Sequence, residues 1–166
     1  MSARRRLVLL VTASRPLRSV EHGLRLARDR GLDTWVGASD SALPWLDQGA
    51  VRALTGRPLL NEGEALPGLS ATVCVAPATF NTVNKLAAGI ADTLVTAVAA
   101  EAVGAGDPVV VAPSLNRALL AHPVLQVNRD RLTSWGVRLL WPEAGNEESE
   151  AFDVWWEAVI DACDGP

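Results

Sequence analysis

Cysteine, histidine and lysine are all scarce in this sequence, and each shortage excludes a class of protein. Two cysteines, Cys74 and Cys163, in 166 residues are too few for a disulfide framework, and their spacing matches no metal site. Two histidines, His22 and His122, cannot build a histidine-rich centre, so a zinc enzyme is not expected. Lys85 is the single lysine, and Lys plus Arg total 15 against 19 for Asp plus Glu, a net charge of −4. That balance argues against a nucleic-acid surface, whose affinity comes from cations that neutralise phosphates. The excess of arginine over lysine is assigned to genome composition. No run approaches the roughly 18 apolar residues of a membrane span. Glycine is missing before Gly23, so the first strand end lacks GxGxxG and the usual NAD-binding turn. Internal repeats and low-complexity tracts are also lacking.

What is present is a globular composition, 49% hydrophobic and 20% charged, in a 17.6 kDa chain. This is read as one domain over residues 1–166, long enough to bury roughly 70% of its unfolded surface. The opening MSARRRLVLLVTASRP has a basic flank and a short apolar run, as a signal peptide does. Leu7–Val11 is only five residues of strand formers, however, and is read as a first β-strand of a cytoplasmic protein.

Strand and helix patterns then alternate through a core at 7–141. Helical spacing runs from about Pro16 to Arg30, with Val20, Leu24 and Ala27 on one face. Thr34–Ala38, Thr72–Ala76, Val109–Ala112 and Val137–Trp141 read as further strands. Ser39 is placed to cap a short helix carrying Ala42 and Trp45, and residues 49–70 read as mostly loop. One long helix is predicted from Phe80 to Val103, where Leu86, Ile90, Leu94 and Val98 recur every four residues. Another helical region, interrupted by Pro123, spans Asn116–Trp135, and a closing helix spans Glu150–Ala162 within the 147–163 tail. The alternation predicts an α/β fold, a Rossmann-like doubly wound parallel sheet.

Such sheets bind ligands at the carboxyl ends of their strands, near the reversal of strand order. The first strand ends in Ala13-Ser14-Arg15, a hydroxyl at a helix start with Arg15 and Arg18 beside it. Two readings stay open there: an anion site built from helix N–H groups and Ser14, or a simple cap with solvated arginines. Ser39-Asp40-Ser41 ends the second strand and is open to the same pair of readings. The third strand ends in Pro77-Ala78-Thr79-Phe80-Asn81-Thr82 and the fourth in Pro113-Ser114-Leu115-Asn116, a recurrence that bland loops do not require.

Residues 77–94, PATFNTVNKLAAGIADTL, resemble the PASANTxxKxAxGxADNL signature of the flavin-dependent cysteine decarboxylase family. That family includes phosphopantothenoylcysteine decarboxylase and the enzymes that decarboxylate the C-terminal cysteines of lantibiotic peptides. Pro113-Ser114-Leu115-Asn116, His122-Pro123 and the helix after them are similar to its second signature, PAMNxxMW followed by NP. The resemblance implies an FMN-binding subunit of a homotrimer, with the flavin at a subunit interface and a small-molecule or peptide thiol as substrate. Carried over residue by residue, it implies Ala13, Ser14 and Arg15 as the phosphate loop, with Ser39, Asp40 and Ser41 on the ribityl-phosphate side. It further implies Thr79, Phe80, Asn81 and Thr82 around the cofactor and the Ser114 backbone near the ring. Asn116 falls to the substrate carboxylate, or else to a turn before a helix.

The chain also departs from the family. Its active-site histidine should fall near Gly63 or Glu64, and no histidine lies between His22 and His122. In the family's chemistry FMN oxidises a cysteine thiol, the thioaldehyde loses carbon dioxide, and the histidine manages protons. Glu64 could stand in only with a raised pKa. The glycine-rich flap with its reducing cysteine, expected after Gly136, is replaced by PEAGNEESEAFDVWW, which disfavours a place in coenzyme A synthesis. Phe80, Leu115 and Leu119 put apolar bulk in the pocket; Phe80 either stacks on the flavin or packs in the core. Three readings follow: a divergent decarboxylase, a non-catalytic or half-site subunit, and a flavin carrier or sensor. Trp155 and Trp156 are adjacent on one helix and cannot share a face, so one is expected to be exposed or to cover an interface.

Overall fold

The computed structural model describes residues 5–63, 70–141 and 152–165. Five parallel strands, β1 (Arg6–Val11), β2 (Asp33–Ala38), β3 (Thr72–Ala78), β4 (Val109–Pro113) and β5 (Arg138–Leu139), form one sheet in the order β2-β1-β3-β4-β5. This is the doubly wound sheet that the alternation predicts.

Because side chains alternate across a strand, each strand feeds two cores. Leu7, Leu9 and Val11 of β1 join Cys74, Ala76 and Val110 on one face. There they meet α1 (Val20–Asp29), α2 (Gln48–Thr55) and α7 (Asp153–Asp164). Val8 and Leu10 join Val73, Val75, Val109 and Val111 on the other face. That face is covered by α3 (Phe80–Ala88), α4 (Leu94–Ala105) and α6 (Pro123–Ser134). Burial on both faces explains why the strands read as unbroken apolar runs.

Three details differ from the sequence-based expectation. The helix foreseen over 80–103 is two helices, because Gly89 takes φ 69° and ends α3 with a left-handed cap. Thr93 and Thr96 then open α4 with a reciprocal capping box. Within 49–70, the loop reading overlooks α2, which Asp47 starts by accepting a hydrogen bond from the Ala50 N–H. The strand foreseen over 137–141 pairs as a strand only at Arg138 and Leu139, with the Leu140 N–H still reaching the Val111 carbonyl. The closing helix is α7; its foreseen start at Glu150 lies outside the described residues.

α7 is part of the first core. Trp156 is fully buried, and its indole N–H donates to the Pro16 carbonyl at 2.9 Å. Trp155 is half-buried and packs edge-on against Trp156 at 4.9 Å. The two cysteines are buried and free. A hydrogen bond donated to Cys163, together with burial, holds the Cys74 thiol well above its usual pKa, so Cys74 is not poised as a nucleophile. No helix among the described residues is long and apolar enough to cross a membrane.

Candidate functional site

β1 leads to β2 on one side and β3 lies on the other, so strand order reverses between the carboxyl ends of β1 and β3. The residues there are stitched together. Thr12, 3% exposed at the end of β1, donates its hydroxyl to the Pro77 carbonyl at 2.6 Å and accepts the Thr79 N–H at 3.1 Å. Ser14 donates to the Ser114 carbonyl at 3.1 Å, and the Ser114 N–H donates to the Ala78 carbonyl at 3.0 Å. Ser39 is tied in by its N–H to the Val11 carbonyl at 3.0 Å. The ends of β1, β2, β3 and β4 are therefore tied together by hydrogen bonds.

The predicted site residues sort by what already occupies their polar atoms. Thr79 caps α3 through the Thr82 N–H at 3.3 Å, and the two hydroxyls lie 2.9 Å apart. Phe80, half-buried, opens α3 and meets the His122 ring edge-on, with centroids 5.4 Å apart at 66°; its other contacts are with the second core. Asn81 is exposed at the same helix start, whereas Thr82 is buried. Asn116 caps a short helix α5 (Arg117–Leu120), accepting the Leu119 N–H through Oδ1 at 2.9 Å.

Ser14 does not cap the 3₁₀ turn Arg15–Ser19 that it precedes; its hydroxyl donates to the Ser114 carbonyl just past β4. Ser39 does not cap either. Its hydroxyl lies 3.2 Å from that of Ser41, and the short helix foreseen after it is a single 3₁₀ turn, Leu43–Trp45. Asp40 and Ser41 are exposed, and Ala13 is half-buried against the first core. The cations beside the loop rest on rings: Arg15 lies 5.8 Å from Phe152 and Arg18 5.6 Å from Trp45.

Thr12 is the residue that sequence reasoning missed. Its signal is a hydroxyl directly after the apolar run Leu7–Val11, which burial makes costly unless it is bonded. Glu64 lies outside the described residues. Two cavities lie away from these strand ends. One, of about 210 Å³, is lined by Arg28, Asp33, Thr34 and Thr55; the other, of about 330 Å³, is lined by Leu86, Val103, Leu132 and Trp135. No cluster of metal-ligating side chains occurs among the described residues.

Lys85 and Asp92, both in the first motif, bridge α3 to the turn before α4 at 2.8 Å. The Lys85 ammonium holds the Asp92 carboxyl below its usual pKa. A carboxyl depressed on folding adds stability above its unfolded pKa and loses it as pH falls through the folded value. Lys85→Met is therefore expected to return the Asp92 titration, followed by carbon-detected NMR, to the ordinary aspartate range. A midpoint that does not move would show that the pair is not the cause.

The family model described as Flavoprotein matches residues 2–165. The chain belongs to this flavoprotein family. Among curated proteins, it is 31% identical over 133 residues to the coenzyme A biosynthesis bifunctional protein CoaBC of Thermococcus kodakarensis, covering 72% of this chain and 32% of that protein. The chain thus spans about a third of that relative's length. The solved FMN-dependent cysteine decarboxylase SpaF superposes with a TM-score of 0.71 at 28% identity, covering 96% of this chain and 98% of that one. The peptidyl-cysteine decarboxylase EpiD shares the fold with a TM-score of 0.78 at 23% identity, covering 98% and 100%. Fold and family agree with the resemblance seen in residues 77–94.

Proposed function

We propose that this flavoprotein binds FMN across the carboxyl ends of β1, β3 and β4, and acts on a small thiol or a cysteine-ended peptide within a homotrimer. The observation that carries the reading is the position of the two motifs. Residues 77–94 begin on the strand next to the order reversal, and Ser14, Ser114 and Ala78 bond the second motif alongside. Flavin phosphates are recognised by turn N–H groups, hydroxyls and nearby cations, and the groups present fit that requirement. Ser39 and Ser41 supply hydroxyls, Ser14 ties the first turn to Ser114, Arg15 and Arg18 supply charge, and the exposed Asn81 supplies an amide at the start of α3.

FMN would supply the two-electron oxidation of the thiol. The protein's own part is to orient. Thr79 and Thr82 are engaged in the α3 cap and serve by fixing the helix start. Asn116 keeps its amide Nδ2 available for a substrate carboxylate while Oδ1 caps α5. The missing upstream histidine favours a second reading, a half-site subunit that completes its chemistry with a histidine-bearing partner chain.

The purified protein is expected to be yellow, or to take up FMN when supplied at micromolar concentration. Anaerobic addition of a cysteine-ended peptide is expected to bleach the flavin, with loss of the carboxyl group by mass spectrometry. A yellow protein that is inert alone, but active once a histidine-bearing homologue is mixed in, would transfer the conclusion to the half-site reading. A colourless protein with no FMN uptake would end both.

A further inference from the structure

His122 and Asn116 flank one short connection, and each has its acceptor atom already spent. Asn116 Oδ1 takes the Leu119 N–H at 2.9 Å. His122 caps α6, and its Nδ1 takes the Val124 N–H at 3.2 Å. A neutral imidazole that accepts at one nitrogen carries its proton on the other, so His122 turns an Nε2–H outward, just as Asn116 turns out its Nδ2–H₂. Both residues are exposed.

The ring is held against the site. It packs edge-on to Phe80, the residue after Thr79, and α6 is pinned to α3 from below. Asn128 donates to Asn84 at 2.7 Å, and Arg131 donates to the Ala87 carbonyl at 3.1 Å. His122 is therefore fixed to the same helix that Thr79 caps. The chain's other histidine, His22, lies on α1, which covers the opposite face of the sheet.

We propose that His122 is a substrate-binding residue, donating Nε2–H to an anionic group of the molecule bound beside Phe80. The inference rests on the flavin reading and adds the side chain that selects the substrate's charge. Two outward-facing donors, with one lone pair of Asn116 Oδ1 and that of His122 Nδ1 used in caps, favour a carboxylate or a thiolate over a neutral amide. The same geometry argues that His122 does not replace the family's proton-managing histidine. Taking a proton at Nδ1 would release the Val124 N–H from the cap.

The test uses the FMN-loaded protein and three probes: a pentapeptide ending in cysteine with a free carboxylate, its C-terminal amide, and the same peptide ending in serine. Binding is read by calorimetry and by the change in the flavin spectrum, without turnover. His122→Asn keeps a good capping oxygen and removes the Nε2–H; His122→Gln restores a donor at similar reach. His122→Asn is expected to retain FMN affinity and thermal midpoint within a few degrees. It should lose about tenfold or more in affinity for the free peptide, the scale of one hydrogen bond to a charged group. Glutamine should recover part of that loss.

If the carboxylate is the partner, the amide binds weakly to the parent and is indifferent to the substitution; if the thiolate is the partner, the serine peptide shows that pattern. Nitrogen NMR of the ring should show the Nε2–H tautomer. An Nδ1–H tautomer, unchanged affinity of His122→Asn for the free peptide, or a yellow parent that binds none of the three would overturn the proposal while leaving FMN binding intact. Failure of the parent to take up FMN would instead remove the flavin reading, and this inference with it.

Discussion

Trp156→Ala is expected to destabilise the fold by about 3–5 kcal/mol, the range for removing a buried aromatic ring. The side chain projects from α7 against Gly23 of α1 and is wholly buried, and its loss also leaves the Pro16 carbonyl without the indole N–H. The ring fits only because position 23 has no side chain. A Cβ built on Gly23 would lie 2.5 Å from Trp156 Cε3, and a rigid buried indole cannot yield. Gly23→Ala should therefore destabilise strongly, although alanine is the better helix former by roughly 1 kcal/mol. The double variant should cost less than the two single costs combined, since the clash vanishes with the ring. Urea unfolding with unchanged slope measures all three; strictly additive costs would show that the two positions do not touch. Because the Pro16 carbonyl belongs to the turn after Ser14, FMN affinity should fall with Trp156→Ala as well.

Thr12→Val is expected to separate the site from the core. Valine matches threonine in shape but neither donates to the Pro77 carbonyl nor accepts the Thr79 N–H. Leaving such a group unsatisfied costs about 1–3 kcal/mol, and the strain falls where β1 meets the start of α3. The measurable result is a lowered unfolding midpoint together with loss of most FMN uptake, while Thr12→Ser retains both. A Thr12→Val protein that binds FMN like the parent would show that the hydroxyl does not organise the strand ends.

The sheet and its two-faced burial were legible because apolar runs flanked by 3.6-residue periods leave few arrangements. The division of residues 80–103 was harder to read, because Leu86, Ile90, Leu94 and Val98 keep a helical stripe across a break made by Gly89 and Thr93. Periodicity reports which side chains are apolar and does not register one residue entering the left-handed region. Helix α2 was hidden for a related reason: it is eight residues long with one buried side chain, Val51, too little for a stripe.

For the site, local sequence determined the chemistry available: hydroxyls, amides and cations clustered at strand ends, and a motif specific enough to point to the flavoprotein family. Local caps engage Thr79, Asn116 and His122, whereas the partners of Thr12 and Ser14 were decided by tertiary structure. Ser14 and Ser114 are 100 residues apart, and Thr12 and Thr79 are 67 apart. Hydrogen bonds are short-ranged and directional, so such pairs exist only once β1, β3 and β4 lie side by side. The sequence alone leaves open whether Ser14 caps a helix or bonds across the sheet, and the Ser114 carbonyl that the fold brings within 3.1 Å of its hydroxyl answers it.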